Sequence, residues 1–187
     1  HFSGIDLLPL NDFPEVGEII EDGKTLEQNA LIKVREVFNL TGIPCLSDDT
    51  GLEVDALNGA PGVYTARYAG EGCSYYDNVC KLLEDMQTIP APNRTAKFKT
   101  VIAYKDETTE MTAEGIAEGS ISRASSGDFG FGYDPIFFIP EARKTFAEMN
   151  IDEKEIYSHR GKAIRAIMNT LIPHLEQVRQ ITKKEKA

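Results

Sequence analysis

Basic residues are scarce in this chain. Twenty Lys and Arg stand against 30 Asp and Glu, a formal net charge of −10 over 187 residues. A nucleic-acid binder needs a basic face, so the balance argues against that class. It leaves room for a small polyanionic substrate, because a divalent cation and a few local bases can reverse the sign inside a cleft. Cysteine is sparse too: Cys45, Cys73 and Cys80, with no C-x-x-C pair. That count points away from a disulfide scaffold and from zinc, and toward a reducing, cytoplasmic setting. No apolar run approaches the roughly 18 residues of a membrane span. The opening His1-Phe2-Ser3-Gly4 shows neither an initiator Met nor a signal-peptide pattern, which leaves room for residues before it. Repeats and low-complexity linkers are absent. Apolar residues at 41% and charged residues at 27% are ordinary for a globular protein, and the expectation is one domain over residues 1–187.

Periodicity predicts a mixed set of elements. Residues 5–10 read as a short strand. Thr25 and Gln28 have capping-box spacing, and Ala30, Leu31, Val34, Val37, Phe38 and Thr41 then share one helical face. Gly42 is a candidate C-cap and Pro44 blocks continuation. Cys45-Leu46-Ser47 reads as a short buried strand running into Asp48-Asp49-Thr50-Gly51. A second helix is expected over Tyr75–Met86, burying Val79, Leu82, Leu83 and Met86. Strands follow at 96–104 and 109–121, joined at Lys105–Thr108, the second interrupted by Gly115 and Gly119. A glycine-rich loop, 126–134, precedes the apolar strand 135–139. The last helix is expected from Ser158, burying Ile164, Ile167, Met168, Leu171 and Leu175, with a stop or kink at Pro173 and a frayed tail at 183–187. This order fits an α/β or α+β domain.

The strongest chemical signal is the adjacent pair Asp48-Asp49. Two neighbouring carboxylates at the end of a buried strand are costly without compensation, and a hard divalent cation with oxygen ligands is the usual remedy. The alternative is a plain Asp-Asp-Thr-Gly turn. Glu21 matters only if the fold returns it to Asp49; alone it is a solvated acid. Lys33 lies one helical turn beyond Asn29 and can share its face; it would face either solvent or a phosphate. The loop Gly127–Asp134 combines glycines, aromatics and acids, which suits either stacking on a base or a tight turn with core aromatics. Lys154, His159 and Arg160 cluster around a helix start, where basic groups beside free N–H donors can hold an anion or a carbonyl oxygen, or form ordinary surface charge.

Taken together, these stretches resemble the inosine triphosphate pyrophosphatase family. The resemblance rests on Glu21–Ala30 with Lys33, on Ser47–Val54 with Gly59–Tyr68, on Phe131–Phe137, and on Ser158-His159-Arg160-Gly161, in that order over about residues 15–175. It implies an α/β domain with a long, curved, mixed sheet flanked by helices, and two lobes around a central cleft. It implies Mg²⁺-dependent hydrolysis of ITP, dITP and XTP to the monophosphate and pyrophosphate, as nucleotide-pool house-cleaning by a homodimer. By resemblance Asp49 is the catalytic carboxylate and a metal ligand, and Glu21 the other metal contact. Lys33, Asp48 and Thr50 match the triphosphate site. Phe131, Gly132, Tyr133 and Asp134 match the base loop, and Lys154, His159 and Arg160 complete the base pocket. Two departures stand out. The family's opening strand and phosphate-cradling loop have no counterpart before His1, so either those residues are omitted from this sequence or the chain is a truncation. The usual Glu-Asn-Ala reads Gln28-Asn29-Ala30, so Gln28 receives no metal role.

Two other classes compete. An aspartyl-nucleophile phosphatase of the haloacid-dehalogenase type wants Asp-x-Asp-x-Thr after a strand, whereas these acids are adjacent. A non-catalytic nucleotide-binding protein would bind ITP tightly without turnover.

Overall fold

The computed structural model describes the backbone of residues 5–185 and side chains through residue 180. Helix α1 spans Leu26–Thr41, β1 Cys45–Val54, β2 Pro61–Gly62, α2 Tyr75–Asp85, β3 Thr95–Lys105 and β4 Glu110–Ile121. Strands β5 (Phe137–Ile139) and β6 (Lys144–Thr145) follow, then α3 (Ile151–Tyr157) and α4 (His159–Glu185). They build one α/β unit around a sheet in the order β2-β1-β3-β4-β5-β6.

Every pairing in this sheet is antiparallel, so the expected mixed sheet is corrected. A parallel pair needs a long crossover, whereas β3 and β4 are joined by a tight hairpin. Its turn is held by Asp106, whose Oδ1 accepts the N–H groups of Thr108 and Thr109. Along its outer edge β1 pairs with β2 only at Leu52 and Glu53; residues 45–51 face no strand there among the described residues.

Strand alternation sorts the sheet's two faces. Val101 and Ala103 of β3 pack under α1 with Leu26, Ala30 and Val34. Ile102 and Tyr104 point the other way, against Ala163, Ile167 and Leu171 of α4. Further along that second face, Leu52, Val54, Ala96 and Phe98 belong to a separate, larger core with Val79, Leu82 and Met86 of α2 and the rings of Phe137 and Phe146. Two cores thus share one face of the sheet. Between them, in register, sit Thr50 and Thr100, whose hydroxyls are hydrogen-bonded at 2.7 Å.

Both ends of α1 are locally encoded. Thr25 Oγ1 accepts from Gln28 N, and Gly42 ends α1 in the left-handed region at φ 66°. Gln28 Oε1 accepts from Lys24 N. Glycines do not interrupt β4. Instead Gly115 admits the start of α4, because a side chain there would collide with the His159 carbonyl and the Ala163 amide.

Several expectations fail locally. Residues 5–10 form no strand; Leu7 and Leu8 are exposed and a single tight turn occupies Leu10–Asp12. Helix α4 continues through Pro173, and Ile164 is 46% exposed instead of buried. Of the tail thought to be frayed, residues 183–185 are helical, while Lys186 and Ala187, like His1–Gly4, lie outside the described residues.

Replacing Gly115 by Val forces α4 off β4. We expect a loss of about 1–3 kcal/mol in chemical denaturation, with a parallel loss of ligand binding, since α4's first turn carries His159 and Arg160.

Candidate functional site

Position in β1 decides where each carboxylate points. Asp48 and Asp49 lie mid-strand, not at a turn, so consecutive side chains leave on opposite faces. Asp49 faces α1, where Lys33 Nζ lies 2.9 Å from Oδ1 and Asn29 Nδ2 3.4 Å from Oδ2. Asp48 faces α4, where the Arg160 guanidinium donates to Oδ2 at 2.8 and 3.2 Å. The two acids are neither a turn nor a pair facing one cation, the two readings that the sequence left open. Each has its own counter-ion, supplied by a different helix.

Glu21 does return to Asp49. Lys33 Nζ lies 3.3 Å from Glu21 Oε2, so a single ammonium bridges both carboxylates. Asn29 fixes the loop beside them, its Oδ1 accepting Gly23 N–H at 2.8 Å. Burial pushes the Asp49 carboxyl above its ordinary value; Lys33 opposes this, and the Glu21 charge adds to the rise. Among the described residues no cluster of three or more His, Cys, Asp or Glu could hold a metal. Two carboxylates suit Mg²⁺ nonetheless, because that ion commonly takes one or two protein carboxylates and completes its shell with water and substrate phosphates.

On the opposite side of β1 lies a cavity of about 410 Å³, of small-ligand size. Its floor is formed by Thr50, in the gap between the two cores, and by Phe98 of the larger one. Its walls include Phe131, Gly132, Lys154 and Arg160. Lys154 forms an ion pair with Asp134, and its Nζ lies 5.4 Å from the ring centres of both Phe131 and Phe146. Asp134 is buried and also accepts the Phe131 N–H at 2.8 Å, so it sets the loop and the lysine together. Tyr133 lines the cavity but is structural in its bonding, buried at 3% exposure with its hydroxyl donating to the Thr65 carbonyl. Arg160 joins the two halves. It bonds Asp48, reaches 3.5 Å from Thr50 Oγ1, and stands 5.9 Å from the Phe131 ring centre.

His159 opens α4 and stacks on Phe98, with centroids 4.5 Å apart and planes at 17°. Its Nδ1 is the one fully buried side-chain nitrogen or oxygen without a partner among the described residues. Burial, then the Arg160, Lys154 and Lys162 charges, push its pKa down to about 3, which keeps the ring neutral. Ser158 Oγ accepts Gly161 N–H at 3.0 Å and caps the helix start, whose positive dipole end adds to the two cations.

Of the residues singled out from sequence, Thr50, Phe131–Asp134, Lys154, His159 and Arg160 therefore line one cavity, while Glu21, Lys33 and Asp49 form a second group across β1. Asp48 lies between them. Sequence reasoning missed Phe98, Thr65 and Tyr75 as cavity residues. Phe98 falls within the expected strand 96–104, and nothing local marks it as a cavity wall.

An antiparallel α/β sheet with an aromatic, cation-flanked cavity beside a Lys-bridged carboxylate pair describes an enzyme-like nucleotide or phosphate-ester site. The sequence matches the Ham1 family over residues 2–170, and the chain belongs to that family. It is 45% identical over 177 residues to a dITP/XTP pyrophosphatase of Desulforamulus reducens, covering 92% of this chain and 88% of that protein. It is 49% identical over 164 residues to one of Elusimicrobium minutum, covering 87% and 83%. The solved structure of a HAM1 protein from Coxiella burnetii superposes with a TM-score of 0.85 at 39% identity, covering 91% of this chain and 87% of that one. A nucleoside-triphosphatase / dITP/XTP pyrophosphatase from Mycobacterium abscessus gives 0.75 at 43%, covering 88% and 87%. No helix among the described residues is long and apolar enough to cross a membrane.

His159 makes folding pH-dependent. A His whose folded pKa is about 3, against 6.5 unfolded, contributes stability that is complete above the unfolded value. That stability is withdrawn as pH falls toward the folded one. Denaturation of the parent chain between pH 6 and 4 is expected to lose roughly 1 kcal/mol per pH unit beyond the loss in a His159→Gln variant.

Proposed function

We propose that this chain hydrolyses dITP, XTP and ITP to the nucleoside monophosphate and pyrophosphate, with Mg²⁺ as cofactor. The observation that carries the reading is Arg160, which touches Asp48, Thr50 and the Phe131 ring at once and so links a base-sized cavity to the strand bearing Asp49. The 45–49% identity to dITP/XTP pyrophosphatases supports it.

In this reading the base rests on Phe131 inside the cavity. The triphosphate runs past Thr50 and Arg160 to the edge of β1, toward Lys33 and Asp49. Lys33 neutralises phosphate charge, and the Asp49 carboxylate takes a proton from the water that attacks the α-phosphorus. Water oxygen bonds to that phosphorus, the bond to the bridging oxygen breaks, and pyrophosphate departs. Glu21 and Asp49 would hold Mg²⁺, which when bound supplies charge neutralisation at the phosphate oxygens and acidifies water. Burial of Asp49 favours the role of base, because it raises the proton affinity of the carboxylate.

Base choice follows from donors. Hypoxanthine and xanthine carry a 6-oxo acceptor, and adenine a 6-amino donor. Lys154, Arg160 and neutral His159 surround the cavity with N–H groups, so ATP would set donor against donor in a partly buried site. Discrimination on the order of a hundredfold or more in kcat/KM for ITP over ATP is expected.

A pyrophosphate-release assay with dITP, XTP, ITP, GTP and ATP, with and without Mg²⁺, tests the proposal. Orthophosphate as the only product would point instead to the phosphatase reading, and tight ITP binding without turnover to a binding protein. Asp49→Asn is expected to lower turnover by at least about a hundredfold. In the Mg²⁺-free protein the Asp49 carboxyl, followed by NMR, should titrate above the ordinary Asp pKa of about 4, because burial raises it, and Mg²⁺ should lower it, because a metal ligand must be deprotonated. Near-normal turnover in Asp49→Asn would remove this residue from the chemistry.

A further inference from the structure

The cavity wall also carries an aromatic ring outside the loop and basic residues of the site. Tyr75 is the first residue of α2; it lines the cavity and is 59% exposed. Its ring centre lies 5.9 Å from that of Phe131, with the planes at 44°. The backbone beneath it is held firmly. Ser74 and Asp77 form a reciprocal capping box, with Asp77 N–H donating to Ser74 Oγ at 3.2 Å and Ser74 N–H to Asp77 Oδ2 at 2.8 Å. Val79 and Leu82 anchor the same helix in the larger core. Phe131 is held from the other side by Asp134 through its N–H and by the Lys154 and Arg160 cations over its ring.

A ring this exposed, on a capped helix end and in tilted contact with a second ring that lines the same cavity, leaves aromatic surface for a planar ligand to cover. We infer that Tyr75 is a base-binding residue: its ring closes the mouth of the cavity over a purine that also stacks on Phe131. The inference rests on the nucleotide-hydrolase reading and adds to it a contact outside the cluster of loop and basic residues. Stacking depends on the base having a flat π-face, not on its exocyclic groups. Tyr75 therefore tightens binding of every purine substrate alike, while Lys154, His159 and Arg160 choose among them.

The test compares the parent chain with Tyr75→Ala and Tyr75→Phe. In Tyr75→Ala, KM for dITP and for XTP is expected to rise by about fivefold to a hundredfold, with kcat held within about twofold. Tyr75→Phe restores KM, because the ring and not the hydroxyl carries the contact. Titration calorimetry with IMP reads the same contact without turnover and should show the same weakening. Competition by inorganic tripolyphosphate, which has no base, should not change. Unchanged KM and IMP affinity in Tyr75→Ala overturn the inference, as does an equal loss for tripolyphosphate, which would indicate general damage to the site. If the parent chain releases no pyrophosphate yet binds IMP more tightly than Tyr75→Ala, the hydrolase reading fails and the Tyr75 assignment stands. No IMP binding by the parent chain removes both.

Discussion

The site depends on the two-residue period of one strand. Because Asp48, Asp49 and Thr50 follow one another in an extended segment, the middle carboxylate must face α1 while its neighbours face α4. A slip of one residue in the β1–β3 register would exchange these faces. Asp49 would then lose Lys33 and Asn29, and Asp48 would lose Arg160. Ten consecutive paired positions between β1 and β3 hold the register, with the Thr50–Thr100 hydroxyl contact at its centre. Two like charges in adjacent positions are tolerable because each meets a cation from a separate helix.

Packing explains why the cavity lies where it does. On the α4 face of the sheet, one core follows Ile102 and Tyr104 and the other follows Leu52 and Phe98. Between them Thr100 is buried, while Thr50 stays partly open to the cavity. Gly115 lets the first turn of α4 sink onto β4 at that boundary, which brings the capped helix start, His159 and Arg160 to the cavity wall. His159 is held neutral by the same burial that stacks it on Phe98. Aromatic rings, N–H donors and fixed positive charge accumulate on one side of β1, and a carboxylate with raised proton affinity on the other.

Local chemistry made much of the framework legible. The Thr25 cap, Gly42 and the stripe Val79–Leu82–Met86 are short-range signals that appear where their residues predict, and the hairpin turn expected at 105–108 falls one residue later, at 106–109. The Asp48-Asp49 pair was harder to place. Its sequence satisfies a turn and a metal site equally well, and what resolves it are partners 16 and 112 residues away in the chain. Helix α3 escaped notice because seven residues behind an Asn cap give too short a period to read. The leucines at 7, 8 and 10 alternate too weakly for a strand and remain exposed. Motif order brought the site residues together by resemblance. Their division across the two faces of β1, and the presence of Phe98 and Tyr75 at the cavity, are properties of packing that no local pattern carries.

The most direct measurement is a crystal structure of this chain with Mg²⁺ and a non-hydrolysable dITP analogue. The account predicts the base on Phe131 with its 6-oxo edge toward the Lys154–His159–Arg160 donors, and the α-phosphate within reach of a water held by Asp49. A nucleotide bound elsewhere, or one in that cavity whose phosphates turn away from Lys33 and Asp49, would contradict it.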